Sequence, residues 1–419
     1  MDLFARRELN QWKDTLGFYF GRVLSRPLVP PEHVYFNLTN RCNLRCKMCD
    51  IPDIPSNVNQ ELSVEELKNI IGQINDLGVR HIIFSGGEPF LKEGLFELVS
   101  YAVSCGIEMV DIITNGTQLD DAKCEQMIRL KVNNVSFSLD GLKEKNDFIR
   151  GPGVFEKVKS NIERLNHYKS VYNTFFPTLI INCTVMGANI ADIVPLVEFA
   201  RDHKCSILFQ PLMANNTKMY EEAKDDLWPS ARDIDSLKSV WKKVLSLKSD
   251  FKETNIFTDS AILGAMPSYF KGKKVFKSFN CYEAIKRIVI SYDGVLWSCF
   301  GVYGNLKNKS LKELWFCHKA KKIRESAKKC KSFCMQDCIY FPTDIVAQVG
   351  GYLKKVALRP QDEKGAVKAG LLERLKSLED VLQAEFKEKK EGAFGFWQTN
   401  GLARELGRLK FLKKKIHSL

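Results

Sequence analysis

Apolar and polar positions follow two different spacings along the middle of the chain. Short apolar runs of strand length recur at 34–38, 80–85, 107–114, 133–139, 178–185 and 205–210. Between them, apolar residues recur every three or four positions, the spacing of one helix face, at 63–77, 94–105, 119–130, 153–168 and 189–203. Strands that alternate with helices favour a parallel sheet with right-handed crossovers. We therefore predict an α/β fold whose main domain, 34–212, is a partial (β/α)6 TIM-like barrel.

The flanking segments have other patterns. Residues 1–33 predict an amphipathic helix ended by prolines, which we expect to pack over the end of the barrel; the alternative is a helix lying on a membrane surface. Residues 213–278 are polar and predict a mostly helical connector. Residues 346–419 predict a helical, basic tail with an apolar stripe that docks on the rest of the protein, formed by Leu371, Leu372, Leu375, Leu378, Val381 and Leu382.

Charge and cysteine content narrow the class of protein. The net charge of +13 suits an acidic carrier, a nucleic acid or anionic lipid, and the basic termini are where a membrane or carrier would bind. No apolar run reaches the roughly 20 residues that span a bilayer, and no apolar signal core follows the first residues. Thirteen cysteines without an export signal are typical of a reducing compartment, so we expect a cytoplasmic protein.

Three cysteines follow the first predicted strand on one short loop, Cys42, Cys46 and Cys49. Thiolates grouped in this way suit a soft metal or an iron–sulfur cluster. Three protein ligands would leave one iron of a four-iron cluster open to a small molecule. Zinc is the alternative, but structural zinc sites usually complete their coordination with a fourth nearby ligand, and no further cysteine occurs before Cys105. The spacing therefore favours the cluster.

Polar residues and glycines follow the next three predicted strands. In α/β barrels the chemistry lies at the carboxyl ends of the strands, so these residues should share one face with the cysteine loop. A glycine pair also lets the backbone approach a ligand closely. The candidate cofactor-binding residues are Gly86, Gly87, Glu88, Asn115, Ser138, Asp140 and Arg150.

The cysteine spacing followed by Gly86-Gly87-Glu88-Pro89 resembles the radical S-adenosylmethionine (radical SAM) enzymes. The resemblance implies a [4Fe-4S] cluster whose open iron binds the amino and carboxylate groups of SAM. One electron would then cleave SAM to a 5′-deoxyadenosyl radical, which abstracts hydrogen from a substrate. It also implies that the glycine segment contacts the methionine amino group, Ser138 or Asp140 the ribose, and Arg150 the carboxylate.

The same resemblance implies partners. We expect a flavodoxin- or ferredoxin-like electron donor and an unidentified small-molecule or peptide substrate. A peptide-modifying enzyme with its own leader-binding domain is disfavoured, because about thirty residues precede the barrel.

A second group of cysteines lies in 279–345, which we predict to be a small cysteine-rich domain. A hairpin turning at Asp293-Gly294 and a helix over 310–324 accompany it. The arrangement resembles the SPASM/twitch extension of radical SAM enzymes, which holds auxiliary iron–sulfur clusters. Six cysteines are too few for two complete four-iron sites. We expect one auxiliary [4Fe-4S] cluster for electron transfer on Cys281, Cys299 and two of Cys330, Cys334 and Cys338, with Cys317 in packing. Zinc is the alternative metal there.

A second class of function is a non-catalytic zinc or iron–sulfur protein that binds nucleic acid through its basic surface. No aromatic-and-basic recognition module occurs in the sequence, so we name no firm nucleic-acid partner.

Overall fold

A nine-stranded sheet organises the computed structural model, which describes residues 3–54, 58–213, 227–250, 256–272, 281–330, 335, 361–391 and 396–417. Its order is β6-β5-β4-β3-β2-β1-β7-β8-β9. The first six strands pair in parallel, which confirms the predicted α/β fold and partial barrel. The strands are β1 (His33–Asn37), β2 (His81–Ser85), β3 (Met109–Thr114), β4 (Asn134–Ser138), β5 (Thr178–Val185), β6 (Ser206–Pro211), β7 (Arg287–Ile290), β8 (Val295–Ser298) and β9 (Gly301–Asn305).

Helices cross between the parallel strands. They are α2 (Val64–Asp76), α3 (Leu95–Cys105), α4 (Asp121–Arg129), α5 (Lys143–Arg150), α6 (Val154–Val171) and α7 (Ile193–Asp202). Helix α2 begins with a capping box, in which the side chains of Ser63 and Glu66 each accept a hydrogen bond from the backbone N–H of the other residue. Helix α5 was not predicted: it is short, and its buried residues are Asn146, Ile149 and Arg150 rather than an apolar stripe.

The strands bury one face and keep polar groups on the other. Val34, Phe36 and Phe84 belong to the fully buried core, which also contains the inner residues of α2, α3 and α6. On the opposite face, His81 Nε2 lies 2.8 Å from Asp111 Oδ2, and Asn134 donates to Asp111 Oδ1 at 2.8 Å. Because side chains alternate along a strand, the helices cover the apolar face and the polar face lines the inside of the barrel.

The connector and the hairpin extend the main domain. Helices α8 (Ala231–Asp250) and α9 (Ser260–Phe270) pack together, and Trp241 of α8 is buried. The hairpin turns at Asp293-Gly294, where Gly294 has φ +86°, and β7 pairs in parallel with β1. The first part of the predicted cysteine-rich domain therefore continues the barrel sheet.

The helix predicted over 310–324 is wrong as a single element. The structure has α10 (Leu311–Phe316) and α11 (His318–Lys328) instead, separated by Cys317 in extended conformation. The Cys317 Sγ lies 3.4 Å from the Ala320 backbone nitrogen and 3.2 Å from the Leu314 carbonyl oxygen. This cysteine caps α11 and connects the two helices.

The two ends of the chain form one three-helix unit. Helix α1 (Leu3–Leu24) packs with α12 (Gln361–Glu391) and α13 (Phe396–His417), and its Phe18 also packs on Tyr282 and Ile285, just before β7. The sequence did not indicate the first contact, and the packing of this helix over the end of the barrel stays a prediction. The shared core is Leu16, Tyr19, Phe20, Leu24, Val367, Leu371, Leu375, Leu378, Leu382, Leu402, Leu409, Leu412 and Ile416. Tyr19 and Phe20 of α1 are therefore buried inside the protein. Among the helices described, none is long and apolar enough to cross a membrane.

Candidate functional site

The cysteine loop begins where β1 ends, at the carboxyl edge of the sheet. Cys46 is buried, and Cys42 and Cys49 are half-buried. The loop is fixed by backbone hydrogen bonds, from Cys49 N to Cys46 O at 3.0 Å and from Lys47 N to Ile149 O of α5 at 2.9 Å. Helix α5, unforeseen from the pattern, therefore supports the loop directly.

Two nitrogen donors approach the cysteine sulfurs. Asn115 Nδ2 lies 3.8 Å from Cys42 Sγ, and Arg150 Nη1 lies 3.9 Å from Cys46 Sγ. Burial raises the pKa of the Cys46 thiol, which the nearby Arg150 opposes, and raises the pKa of Cys49 to about 11. Donors aimed at sulfur stabilise ligating thiolates, as outer-shell partners do in metal sites.

The donor set fits an iron–sulfur cluster in its chemistry. Three cysteines stand on one loop, as cluster ligation by thiolates requires, and two of them have N–H donors beside the sulfur that would orient and tune them. Within the described ranges, no three His, Cys, Asp or Glu side chains converge as closely as ligands of a single metal ion do. A four-iron cluster uses a different iron for each of its thiolates.

The glycine pair after β2 lies directly against the cysteine loop. A Cβ on Gly86, whose φ is +133°, would stand 2.3 Å from Thr39 O, and a Cβ on Gly87 would stand 2.3 Å from Arg41 O. The Gly87 amide donates to Thr39 O at 2.7 Å, and the Glu88 amide donates to Arg41 O at 2.8 Å. Only glycine permits this approach, so the pair positions the loop. Its contact with a ligand stays a prediction.

Glu88 lies at the predicted edge, but its carboxylate faces the protein. It accepts from Thr114 Oγ1 at 2.8 Å, from the Asn115 amide at 2.7 Å and from the Phe90 amide at 3.1 Å. The side chain is fully buried, and this burial raises the pKa of Glu88 to about 7. Glu88 thus holds the loop after β3, including Asn115, in place. A direct contact of Glu88 with a cofactor stays untested.

Asp140 and Arg150 form a buried ion pair at the same edge. Arg150 Nε lies 2.7 Å from Asp140 Oδ2, and Asp140 Oδ1 accepts from the Thr184 amide at 2.8 Å. Arg150 is thereby aimed at Cys46. The predicted roles of Asp140 at a ribose and Arg150 at a carboxylate stay predictions, and in this structure each residue already has a partner in the chain.

Ser138 ends β4 and stands opposite Asn182 of β5. The Asn182 Oδ1 is buried and has no hydrogen-bond partner in the described part of the chain. Sequence alone left open whether Asn182 faces the barrel mouth. The register places it beside Ser138, so these two polar side chains could serve one ligand together.

Glu61 holds the cysteine loop, and the sequence pattern did not indicate it. Its nearly buried carboxylate accepts from Thr39 Oγ1, from Arg41 Nε at 3.2 Å and from Lys92 Nζ at 3.2 Å. These partners lie on both sides of Glu61 in the chain, at separations that local spacing cannot reveal.

The second cysteine group is described in part. Cys281 is half-buried, Cys299 follows β8, and Cys330 follows α11. Burial, with the charges of Glu283 and Cys281, raises the pKa of the Cys299 thiol, and Arg287 opposes the shift. The structure thus brings Cys281 and Cys299 into one neighbourhood. Cys334 and Cys338 lie outside the described residues.

A partial α/β barrel that carries a three-cysteine loop at the carboxyl edge of its sheet defines a protein that binds a cofactor through thiolates. Residues 36–200 match the model of the radical SAM superfamily, and residues 281–339 match SPASM, an iron–sulfur cluster-binding domain. The chain therefore contains a radical SAM domain at residues 36–200 and a SPASM domain at residues 281–339. The cofactors of these two domains are a [4Fe-4S] cluster with SAM, and auxiliary iron–sulfur clusters.

Named relatives match just under half of the chain. The chain is 34% identical to the GTP 3′,8-cyclase of Chlorobaculum tepidum over 196 residues, 46% of this chain and 55% of the relative. It is 35% identical to the PqqA peptide cyclase of Rhizobium meliloti over 181 residues, 43% of this chain and 46% of the relative. The chain thus spans about half the length of these relatives.

The fold is similar to that of SuiB from Streptococcus suis, solved with the precursor peptide SuiA. The TM-score is 0.57 at 15% identity, and the match covers 76% of both chains. At this identity the likeness supports the fold alone.

Proposed function

We propose that this protein is a radical SAM enzyme, an oxidoreductase or modifying enzyme that acts on a small molecule or peptide. The observation that carries the proposal is the cysteine loop, held at the carboxyl edge of the barrel by two glycines and by Glu61, with nitrogen donors at two of its sulfurs. Bound there, the cluster and SAM would supply reductive cleavage of SAM to a 5′-deoxyadenosyl radical, which abstracts hydrogen from the substrate.

In this proposal Cys42, Cys46 and Cys49 hold the cluster. Asn115 and Arg150 donate toward the ligating sulfurs, which offsets their negative charge and orients them. Asp140 keeps Arg150 in that position, and Glu88 fixes the peptide of Asn115. These two acids act through other residues, so they are positioning residues.

Ser138 and Asn182 are the candidates for a polar group of SAM. They are neighbours across β4 and β5 at the same edge, and the side-chain Oδ1 of Asn182 lacks a donor among the described residues. A buried acceptor without a partner is costly, so a hydroxyl or amino group of a ligand would be favoured there.

We assign the auxiliary site to Cys281, Cys299 and two of Cys330, Cys334 and Cys338, with electron transfer as its role. The match of this region to SPASM and the proximity of the first two cysteines support the assignment. A cluster whose irons all carry protein ligands has no open position, so carrying an electron is the role that remains for it.

The substrate class is wider than one relative suggests. Two similar proteins carry peptide names, a PqqA peptide cyclase and a SuiB structure with its precursor peptide, and another is a GTP cyclase. The names of the relatives thus include a peptide and a nucleotide, so the proposal keeps both a peptide and a small molecule as substrate classes. Electron supply by a flavodoxin- or ferredoxin-like protein is part of the proposal.

The test is 5′-deoxyadenosine production from SAM by the anaerobically reconstituted protein with a chemical reductant. We expect product from the unaltered chain and none from the Cys46→Ala variant, with Cys105→Ala, a cysteine on α3, as the matched control that keeps activity. Equal output from all three proteins would contradict the proposal. Binding of nucleic acid without any SAM turnover would favour the non-catalytic alternative.

A further inference from the structure

Arg22, at the carboxyl end of α1, contacts two of the three chain segments that carry described cysteines of the auxiliary site, those of Cys281 and Cys330. Its Nε donates to Cys281 O at 2.8 Å, and its Nη2 donates to Lys328 O at 3.2 Å. Cys281 and Lys328 are far apart in sequence, and Lys328 stands two positions before Cys330. One side chain therefore joins the two segments.

The contact with Lys328 is a helix cap. Lys328 is the last residue of α11, and the final carbonyls of a helix have no partner within it. A cation at this end also complements the helix dipole. The cap is reciprocal, because Lys328 Nζ donates to Val23 O near the end of α1. The ends of α1 and α11 are thus tied by two basic side chains.

The turn that carries Cys281 is held from a second side. Arg324 of α11 is buried and donates to Ala284 O at 2.8 Å and to Trp315 O at 2.6 Å. Ala284 has φ +66°, a conformation that a residue with a Cβ adopts rarely, so the surrounding contacts must maintain it. Tyr282 and Ile285 pack on Phe18 of α1 in a small buried cluster.

Helix α1 is in turn fixed by the chain terminus. The Tyr19 hydroxyl donates to Glu405 Oε2 at 3.1 Å, Arg408 contacts the same hydroxyl, and α1 shares its apolar core with α12 and α13. The position of the Arg22 guanidinium therefore depends on all three terminal helices.

We infer that Arg22 is a positioning residue for the auxiliary iron–sulfur site, and that the terminal three-helix unit exists in part to hold it there. This inference rests on the proposed assignment of Cys281 and Cys330 to that site. A guanidinium presents several N–H donors in a rigid fork, so it can bind two carbonyls at once, whereas a lysine ammonium is a point charge on a flexible stem. Without the guanidinium, neither the Cys281 carbonyl nor the Lys328 carbonyl has this donor, and the Cys281 peptide is no longer joined to the end of α11 through Arg22.

The experiment isolates the auxiliary site in a parent variant with Cys42→Ala, Cys46→Ala and Cys49→Ala. Iron and sulfide content, the EPR spectrum of the reduced protein and its midpoint potential are measured after anaerobic reconstitution. They are compared among the parent, parent plus Arg22→Ala, parent plus Arg22→Lys, and parent plus Arg26→Ala. Arg26 is the matched control, since it is an exposed arginine that follows the same helix.

Loss of outer-shell partners in metal sites reduces metal affinity by about 10–100-fold, and we expect a loss in that range for Arg22→Ala, with an altered EPR line shape. Arg22→Lys should change in the same direction by less, and Arg26→Ala should match the parent. Unchanged iron, spectrum and potential in Arg22→Ala would overturn the inference.

Two control measurements distinguish a wrong inference about Arg22 from misfolding of the variant and from a wrong assignment of the auxiliary site. Circular dichroism reports whether Arg22→Ala keeps its helices; if it does not, Arg22→Lys carries the test, and parent-like iron and spectra in that variant would overturn the inference. A parent that binds no iron would overturn the auxiliary assignment itself, and this inference with it. The unaltered chain with its SAM-site cysteines would still test the main proposal independently.

Discussion

Replacing Asp140 by asparagine should open the edge of the barrel locally, because it leaves the Arg150 guanidinium buried without its counter-charge. The two side chains stand 2.7 Å apart, and their exposed fractions are 0% for Asp140 and 9% for Arg150. Removing one partner of a buried ion pair costs about 3–5 kcal/mol. The asparagine keeps the size of the side chain and an oxygen for the Thr184 amide, so the charge is the main loss.

Amide hydrogen exchange is the suitable assay, since it reports local opening without requiring the whole chain to unfold in one step. At about 1.4 kcal/mol per factor of ten, exchange in peptides that cover α5 should accelerate by about 100- to 4000-fold, up to the limit set by global unfolding. Peptides from α12 and α13, which lie in the other apolar cluster, serve as the internal reference and should not change.

The double variant Asp140→Asn with Arg150→Met tests the reasoning. It removes both charges, and replacement of a buried ion pair by an apolar side chain is often neutral, so protection should largely return. A single variant that changes exchange by less than tenfold, or a double variant that is worse than either single change, would refute the account of this pair.

Three further outcomes are expected. Gly87→Ala should lower the iron content of the SAM-cluster site, because the added Cβ would stand 2.3 Å from Arg41 O, whereas Gly72→Ala, whose Cβ meets only Tyr101 Oη at 3.8 Å, should not. Burial raises the pKa of Glu88 from 4.5 to about 7, so the contribution of this side chain to the free energy of unfolding is fully present below pH 4.5 and is lost as the pH rises through 7. The thermal midpoint of the wild type, measured relative to that of Glu88→Gln, should therefore fall between pH 4.5 and 7 by the equivalent of about 3 kcal/mol. A difference between the two midpoints that stays constant with pH would contradict this. Tyr19→Phe should destabilise the terminal helices by about 1 kcal/mol through loss of its bond to Glu405, measured as faster exchange in α13, with no change in α5.

The sequence predicted the six parallel strands, five of the crossing helices and the hairpin, because these elements follow periodic apolar patterns or a specific turn. It did not predict α5, because the residues of this helix are mostly polar and form no apolar stripe. Helix α5 supports the cysteine loop through a backbone hydrogen bond. Nor did the sequence indicate that the two chain ends pack together, since an amphipathic stripe does not specify its partner.

In the candidate site too, local sequence signals could be interpreted and contacts between distant segments could not. Cysteine spacing and strand-end glycines are local signals, so the loop and its edge could be found from sequence. Glu61 and Arg22 depend on contacts between distant segments, and single charged residues in a basic chain carry no signal for such contacts. Glu88 and Asp140 were placed at the correct edge, but their burial, and hence their contacts with Asn115 and Arg150, required the structure.

The central claim is that Cys42, Cys46 and Cys49 hold a cluster with one iron open to SAM. EPR of the anaerobically reconstituted, reduced protein with and without SAM, together with iron analysis, tests it most directly. The account predicts a spectrum that shifts on addition of SAM, and a loss of about four irons per chain when the three cysteines are replaced by alanine. A spectrum that does not respond to SAM, or iron that persists unchanged without these cysteines, would contradict it.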